Sequence, residues 1–344
     1  MNSKMNRKPS LLYVGNKLSH YGFTPGVIET LGPLLESEGY KVSYAGTYKS
    51  QVIRLIEIIL KVAFIGRKVD YILIDTYSTK AFWYSFITGL IARLTRTKYI
   101  PILHGGNLPS RLRKTKKACD SLFLNSYANV AVSGYLRHEF KKAGYKTVTI
   151  PNSIDVLKYP FRLRSNPRPK LLWVRSFHRQ YNPNMAADVL KELLKTYSEA
   201  ELCMVGPDKD GSMEDFRNYV NELGMGEQIK ITGLLKKEEW IKLAEDYDFF
   251  INTTNVDNTP ISVIEAMALG LNVISTDPGG IPFLLNNDID SVLVQRGDAC
   301  AMATEIEKLI KNPAKVGALS KAARDKAEGF DYIHVLNQWC ELLV

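Results

Sequence analysis

Cysteine is scarce: Cys119, Cys203, Cys300 and Cys340 are the only four among 344 residues, far apart and without a C-x-x-C pair. That excludes a disulfide framework and a zinc knuckle and fits a reducing compartment, so the expected location is cytoplasmic. Long apolar runs are missing as well. The longest, 81–94, holds about ten apolar residues once its polar members are set aside, against the roughly 18 to 20 that cross a bilayer. The basic N-terminus leads only into the short apolar run 11–14, too brief for the core of an export signal, so no export is expected. Internal repeats and low-complexity tracts are absent. With 45% apolar and 24% charged residues, the disordered, collagenous and fibrous classes fall away.

What is present is length for two domains, at roughly 100 to 200 residues each, and an uneven charge. Residues 1–150 carry 23 Lys and Arg against 8 Asp and Glu, a net +15, whereas 151–344 carry 22 against 28, a net −6; together these make the chain's +9. The basic half is expected to face something anionic, either a membrane surface on the inner face or an acidic saccharide. Lys61, Arg67 and Lys68 flank the apolar stretch 58–65, and Arg111, Arg113, Lys114, Lys116 and Lys117 form a second basic run. That run lacks interleaved aromatics and any nucleic-acid-binding module, so no nucleic acid partner is expected.

Short apolar runs alternate with amphipathic ones. The segments 11–15, 42–46, 71–75, 99–104, 130–133 and 148–151 read as buried strands, and 25–37 as a helix with Ile28, Leu31, Leu34 and Leu35 at helical spacing. Pro160, Pro167 and Pro169, interleaved with Arg162, Arg164 and Arg168, break the pattern as a linker would. The alternation then restarts, with strands at 171–174, 202–206, 229–233, 249–253, 273–276 and 292–294 and helices at 184–194, 213–223, 238–245, 260–269 and 300–310. Near-continuous apolar strands between helices predict two doubly wound α/β domains, 1–160 and 161–330, facing each other across a cleft. Ligands of such sheets lie beyond the carboxyl ends of the strands, so function is sought in the loops there.

The most informative loop follows the strand 249–253. Thr259 reads as an N-cap and Pro260 as the first helical residue, and the stretch from Thr259 through Pro260 to Ile261 and Ser262, with the free N–H groups of its non-proline residues, would seat a phosphate. The helix is apolar all round except for Glu265, a carboxylate that needs partners: a basic side chain, or a ligand offering paired hydroxyls. Asp257 and Asn258 lie at the mouth of the same loop. In the first half, His104 ends an apolar strand before Gly105 and Gly106. It is either a hydrogen-bonded structural residue or one that meets a ligand. Gly15 and Asn16, with the turn containing Gly22 and Thr24, open the first helix on the side expected to hold an acceptor. Lys17 and His20 break any G-x-G-x-x-G dinucleotide fingerprint there. Asp288-Ile289-Asp290 has the D-x-D form of metal-dependent transferases but precedes a late strand and reads as a turn, so no metal is expected.

An acid, seven residues, a Glu and then Ala-Met-Ala-x-Gly make up 257–270, and this resembles the signature of the retaining GT-B glycosyltransferases, family 4. The segment 132–155, Trp-Val-Arg-Ser-Phe from Trp173, and His-Gly-Gly-Asn-Leu-Pro from His104 also resemble that family, in the right order. The resemblance implies two facing Rossmann-like domains, the first holding an acceptor and the second a nucleotide-sugar donor. It also implies a C-terminal helix, 331–344, that returns to the first domain. It assigns Glu265 to the nucleotide ribose, Asp257 to hydroxyls of the donor sugar, Arg175 to the diphosphate and His104 to the donor sugar.

Two departures stand out. The lysine usual about five residues after the arginine is replaced by Gln180, Tyr181 and Asn182, leaving Arg179 as the substitute, and Phe283 follows Gly279-Gly280-Ile281-Pro282 where an acid is usual. The implied activity is metal-independent, cofactor-free transfer from a nucleotide diphosphate sugar, with retention, to a saccharide or lipid-linked acceptor in cell-surface polysaccharide or glycolipid synthesis. The base, sugar and acceptor stay open, uridine diphosphate being the commonest carrier for such a site. A nucleotide-sugar epimerase on the same architecture is the alternative.

Overall fold

The computed structural model describes residues 7–23 and 25–344, so Thr24 lies outside the described residues. The chain forms two units, Met1–Ser153 with Tyr332–Val344, and Ile154–Asp331.

In unit 1 the strands are β1 (Ser10–Val14), β2 (Lys41–Ala45), β3 (Tyr71–Thr76), β4 (Lys98–Leu103), β5 (Val130–Ala131) and β6 (Val148–Thr149). All pair in parallel, in the order β2-β1-β3-β4-β5-β6. The helices are α1 (Ile28–Ser37), α2 (Gln51–Phe64), α3 (Phe82–Leu94), α4 (Leu108–Lys114), α5 (Lys116–Phe123) and α6 (Gly134–Lys142). Every residue of β1 and β3 is buried, as parallel strands covered on both faces require.

In unit 2, β7 (Lys170–Val174), β8 (Glu201–Val205), β9 (Ile229–Gly233), β10 (Phe249–Asn252), β11 (Asn272–Thr276) and β12 (Val292–Val294) form a second parallel sheet, ordered β12-β11-β10-β7-β8-β9. Its helices are α7 (Pro183–Leu193), α8 (Ser212–Glu222), α9 (Lys237–Leu243), α10 (Ile261–Ala268), α11 (Ile281–Leu284), α12 (Ala299–Ile310) and α13 (Pro313–Glu328). The chain then returns to unit 1 as α14 (Tyr332–Leu342), which buries Val335, Leu336 and Trp339 in that unit's core. Each expected strand is present within a residue or two of its expected bounds.

In both sheets the strand order reverses once, between β1 and β3 in unit 1 and between β7 and β10 in unit 2. Loops diverge at such a point and leave a crevice beyond the carboxyl ends of the two strands. The residues that decide function should therefore follow β1 and β3, and β7 and β10.

The proline-rich segment is not a free linker. Arg162 and Arg168 bond the buried carboxylate of Asp248 at 2.6 and 2.9 Å. Arg164, itself buried, donates to the carbonyls of Ala244, Tyr247 and Leu269. These bonds tie the segment to unit 2, and the unit boundary accordingly falls after Ser153 rather than at residue 160. Burial alone would raise Asp248, but hydrogen bonds from Arg168 and Arg162 outweigh it and hold the carboxyl below its ordinary value.

Candidate functional site

In unit 2 the loop after β10 is stitched to the loop after β7. Asn255 N donates to Gln180 O at 2.8 Å, and Gln180 Nε2 donates to Val256 O at 2.8 Å. Thr253 Oγ1 donates to Tyr181 O at 2.8 Å while accepting from Trp173 Nε1 at 3.0 Å. This stitching sets the Tyr181 ring against Arg175, whose guanidinium carbon lies 4.1 Å from the ring centroid, a cation–π contact. Arg175 is the first residue beyond β7, and it ion-pairs with Asp257 from the other loop.

The pair is not saturated. Arg175 Nε and Ser262 Oγ are buried without a hydrogen-bond partner, and Asp257 Oδ2, though it meets Arg175, is not aligned for a hydrogen bond. A buried polar atom left unpaired costs about 1–3 kcal/mol, and two such donors, one from the loop after β7 and one from the first turn of α10, mark a place prepared for a polar ligand. Burial lowers the Arg175 guanidinium, and the Tyr181 ring beside it works the other way.

The turn after β11 closes the other side of this loop. Gly280 N donates to Asp257 O at 2.9 Å, and a Cβ on Gly280 would stand 1.9 Å from Asn258 O, so only glycine allows the approach. The Asn258 N–H donates to Asp257 Oδ1 at 2.8 Å, which fixes the carboxylate. Helix α10 then starts at Ile261, with Pro260 as N-cap and no side-chain cap. This corrects the expectation of Thr259 as N-cap: Pro260 takes an extended ψ of 117° and occupies the capping position itself. The N–H groups of Ile261 and Ser262, ahead of the first intrahelical bonds, remain available to an anion at the positive end of the helix dipole.

Glu265 is buried in α10, as expected, but the protein supplies its partners. Tyr159 donates to Oε1 at 2.7 Å, and Lys237 from the start of α9 ion-pairs with the same oxygen. Burial and the neighbouring Glu265 raise the Tyr159 phenol far above its ordinary value, so it stays a donor. Sequence reasoning missed both residues: they stand 106 and 28 positions from Glu265, and no local pattern links them.

Arg179 is not brought to the Arg175–Asp257 pair. Its side chain is 80% exposed and lies 3.7 Å from Asp215 on α8. Phe283, half-exposed, sits in α11 just after the glycine turn. Asp288-Ile289-Asp290 is a turn, in which Asp288 pairs with Lys315 and Asp290 with Lys326. Among the described residues no group of three His, Cys, Asp or Glu side chains is placed to hold a metal ion.

At the equivalent point of unit 1 lies a buried polar cluster. His104, just beyond β4, bonds Asp75 Oδ1 through Nε2 at 2.8 Å, and Tyr13 donates to the same oxygen at 3.1 Å. The ring of Tyr77 stacks on His104 with centroids 5.3 Å apart. Asp75 Oδ2 has no hydrogen-bond partner and packs against Gly15, where a Cβ would stand 2.5 Å away. Gly15, Asn16, Asp75, Tyr77 and Tyr84 line a small cleft here. Asn16 Oδ1 accepts from the buried Arg54 at 2.6 Å. Gly105 and Gly106 lead from His104 toward α4, and Gly22 ends a turn at Ser19–Tyr21. Asp75, Tyr13 and Tyr77 were not singled out from the sequence; the only signal was that Asp75 ends a predicted strand.

Residues 157–326 match the sequence profile of the glycosyl transferases group 1. That segment belongs to the family. It covers most of unit 2, including Arg175, Asp257 and Glu265. The amylovoran biosynthesis glycosyltransferase AmsK of Erwinia amylovora is 23% identical over 250 residues, 69% of this chain and 61% of AmsK. The GDP-mannose:cellobiosyl-diphosphopolyprenol alpha-mannosyltransferase of Xanthomonas oryzae pv. oryzae is 23% identical over 46% of this chain and 42% of its own length. The matches thus span about three fifths and two fifths of these relatives. HepE of Anabaena, solved with UDP and glucose, superposes with a TM-score of 0.75 at 18% identity over 97% of this chain and 99% of its own, so the two-unit GT-B fold extends beyond the family segment to unit 1.

Proposed function

We propose that the protein is a glycosyltransferase that moves a sugar from a nucleotide diphosphate to a saccharide or lipid-linked acceptor, with retention and without a metal. Unit 2 takes the donor and unit 1 the acceptor. One observation carries the reading: Arg175 Nε and Ser262 Oγ are buried donors without a partner at the strand-order reversal of unit 2, beside the Arg175–Asp257 ion pair and the N-terminus of α10.

A diphosphate meets the donors of this set. The Arg175 guanidinium takes its oxygens in a charge-assisted contact, and the first N–H groups of α10 take the rest. When the bond from the anomeric carbon to the diphosphate oxygen breaks, negative charge grows on the diphosphate. Fixed donors that need no reorganisation stabilise that charge. Asp257 accepts from sugar hydroxyls, and Glu265, held by Tyr159 and Lys237, takes the ribose. Arg175 together with the helix N-terminus supplies the positive charge that a divalent ion supplies elsewhere, which supports the metal-free reading. Relatives that build polysaccharides or act on a diphosphopolyprenol acceptor support cell-surface synthesis, with the acceptor met at an anionic membrane face.

Thermal unfolding with a panel of nucleoside diphosphates tests the donor. A ligand at 100 times its dissociation constant adds about 2.7 kcal/mol, so one base should raise the melting temperature and the Arg175→Ala variant should lose that rise. No shift with any nucleoside diphosphate would overturn the assignment. NMR of the product anomer tests retention.

A further inference from the structure

Helix α2 buries two charged residues while leaving most of its outer face apolar. Arg54 is buried and bonds the carbonyls of Tyr48 and Lys49 and the Asn16 side chain. Glu57 is buried and accepts from the Gly46 and Thr47 backbone and from Lys61. Ile58 and Val62 also point inward, so part of the apolar stretch 58–65 belongs to the core. Outward face Val52, Ile53, Ile56, Leu60 and Phe64, with Val52 68% and Phe64 71% exposed. Four of the five recur every fourth residue, which aligns them along one side over about 18 Å at 1.5 Å per residue.

Helix α3 extends the patch. Tyr84 near its start donates to Gln51 O at the start of α2 at 3.2 Å, and Thr97 just after it donates to Gly66 O just after α2 at 3.0 Å. Tied at both ends, the two helices run side by side. Trp83, Leu90 and Leu94 are exposed on α3, Leu94 at 76%. So much contiguous exposed apolar surface marks an interaction site on a soluble unit.

The charges around the patch name the occupant. Lys49 and Lys80 stand exposed just before α2 and α3, and Arg67, Lys68 and Arg96 just after them. Neither helix exposes an acid: Glu57 is buried and α3 has none. Asp70, beyond the C-terminal rim, is bonded to Ser10. An apolar stripe between basic ends fits the interface of an anionic bilayer, with apolar side chains among the acyl chains and cations at the headgroups. A second copy of this chain would set the same basic rims against each other. The run at 111–117 contributes less than the sequence implies, because Arg111 is spent on Ser78 O and the Phe82 ring, and Lys116 on Asp120.

We infer that unit 1 docks on an anionic membrane through the outer faces of α2 and α3, Phe64, Leu60 and Trp83 entering the interface. This rests on the proposal that the acceptor is met at a membrane, but it is read without donor or acceptor. Trp83 is the reporter, since Trp173, Trp240 and Trp339 are buried. Flotation with vesicles of equal parts phosphatidylcholine and phosphatidylglycerol should carry the protein at low salt, and phosphatidylcholine alone should not. Fluorescence should shift to the blue and be quenched by brominated lipid, and Trp83→Phe should abolish both changes. Leu60→Glu with Phe64→Glu, or Lys49→Glu with Lys68→Glu, should each weaken partitioning tenfold or more while the melting temperature and its rise with nucleotide persist. Absence of wild-type binding, or binding unchanged in both double variants, would overturn the inference. So would a wild-type dimer in the ultracentrifuge that Leu60→Glu with Phe64→Glu dissociates. If no nucleoside diphosphate stabilises the protein yet vesicles still bind it, the donor reading fails and the docking stands.

Discussion

Two polar pairs lie at the carboxyl ends of neighbouring strands, one in each unit, and they are built differently. Asp75 and His104 are almost wholly buried, at 1% and 5% side-chain exposure, and joined by an aligned 2.8 Å hydrogen bond. Arg175 and Asp257 are each 13% exposed and in contact, yet a buried donor, Arg175 Nε, stays without a partner, whereas the atom left over in the first pair is an acceptor, Asp75 Oδ2. On the proposed function the first pair orients an imidazole and the second takes an anion. Both join residues of neighbouring parallel strands, and local chemistry separates an orienting pair from a binding one. The surfaces differ in the same sense, unit 1 being basic with an exposed apolar face on α2 and α3.

The contrast breaks most visibly at Arg175. Arg175→Ala should cut turnover by about 10²–10³, the loss seen when a fixed transition-state donor is removed. It should also weaken nucleoside diphosphate binding about tenfold or more, for want of a charge-assisted bond. Calorimetry and initial rates on the folded variant check both. In unit 1, Asp75→Asn should lower turnover about tenfold by loosening His104 while leaving nucleotide affinity as it was. An equal loss of affinity would erase the distinction between the pairs. Asp257→Asn sharpens it: turnover of the sugar nucleotide should fall several-fold, but the free nucleotide should bind as well as before, since Arg175 loses an internal competitor.

Acid should act on unit 2 through Asp248. Its folded value lies below the ordinary 3.8, so its contribution is present above that pH and lost as pH falls through the folded value. Asp248→Asn should therefore destabilise the protein by about 1–3 kcal/mol at neutral pH, and should flatten the acid limb of a melting-temperature series. The smallest expected effect is none: a chelator should leave the rate unchanged, and restoration of a lost rate by manganese would overturn the metal-free reading.

Much was legible before the structure. Alternating apolar and amphipathic runs report burial directly, so the strands and the two-unit organisation followed from them. The signature from Asp257 to Gly270 works through contiguous residues, in which a loop and the helix it leads into lie within reach of one another. Thr259 misled because a threonine before a proline looks like a cap, whereas an extended proline can occupy that position itself.

The sequence by itself determined what depends on neighbours along the chain: where strands and helices form, where loops at their carboxyl ends present Arg175, Asp257 and His104, and that the first half is basic. Only the tertiary structure decided which side chains meet. It gave Glu265 its partners Tyr159 and Lys237, set Asp75 behind His104, took Arg179 away from Arg175, and folded the arginine-rich segment onto Asp248. It also decided which apolar residues of α2 are core and which are surface. A hydrophobic pattern marks residues that can be buried, but the neighbouring helices and the sheet settle which of them are covered.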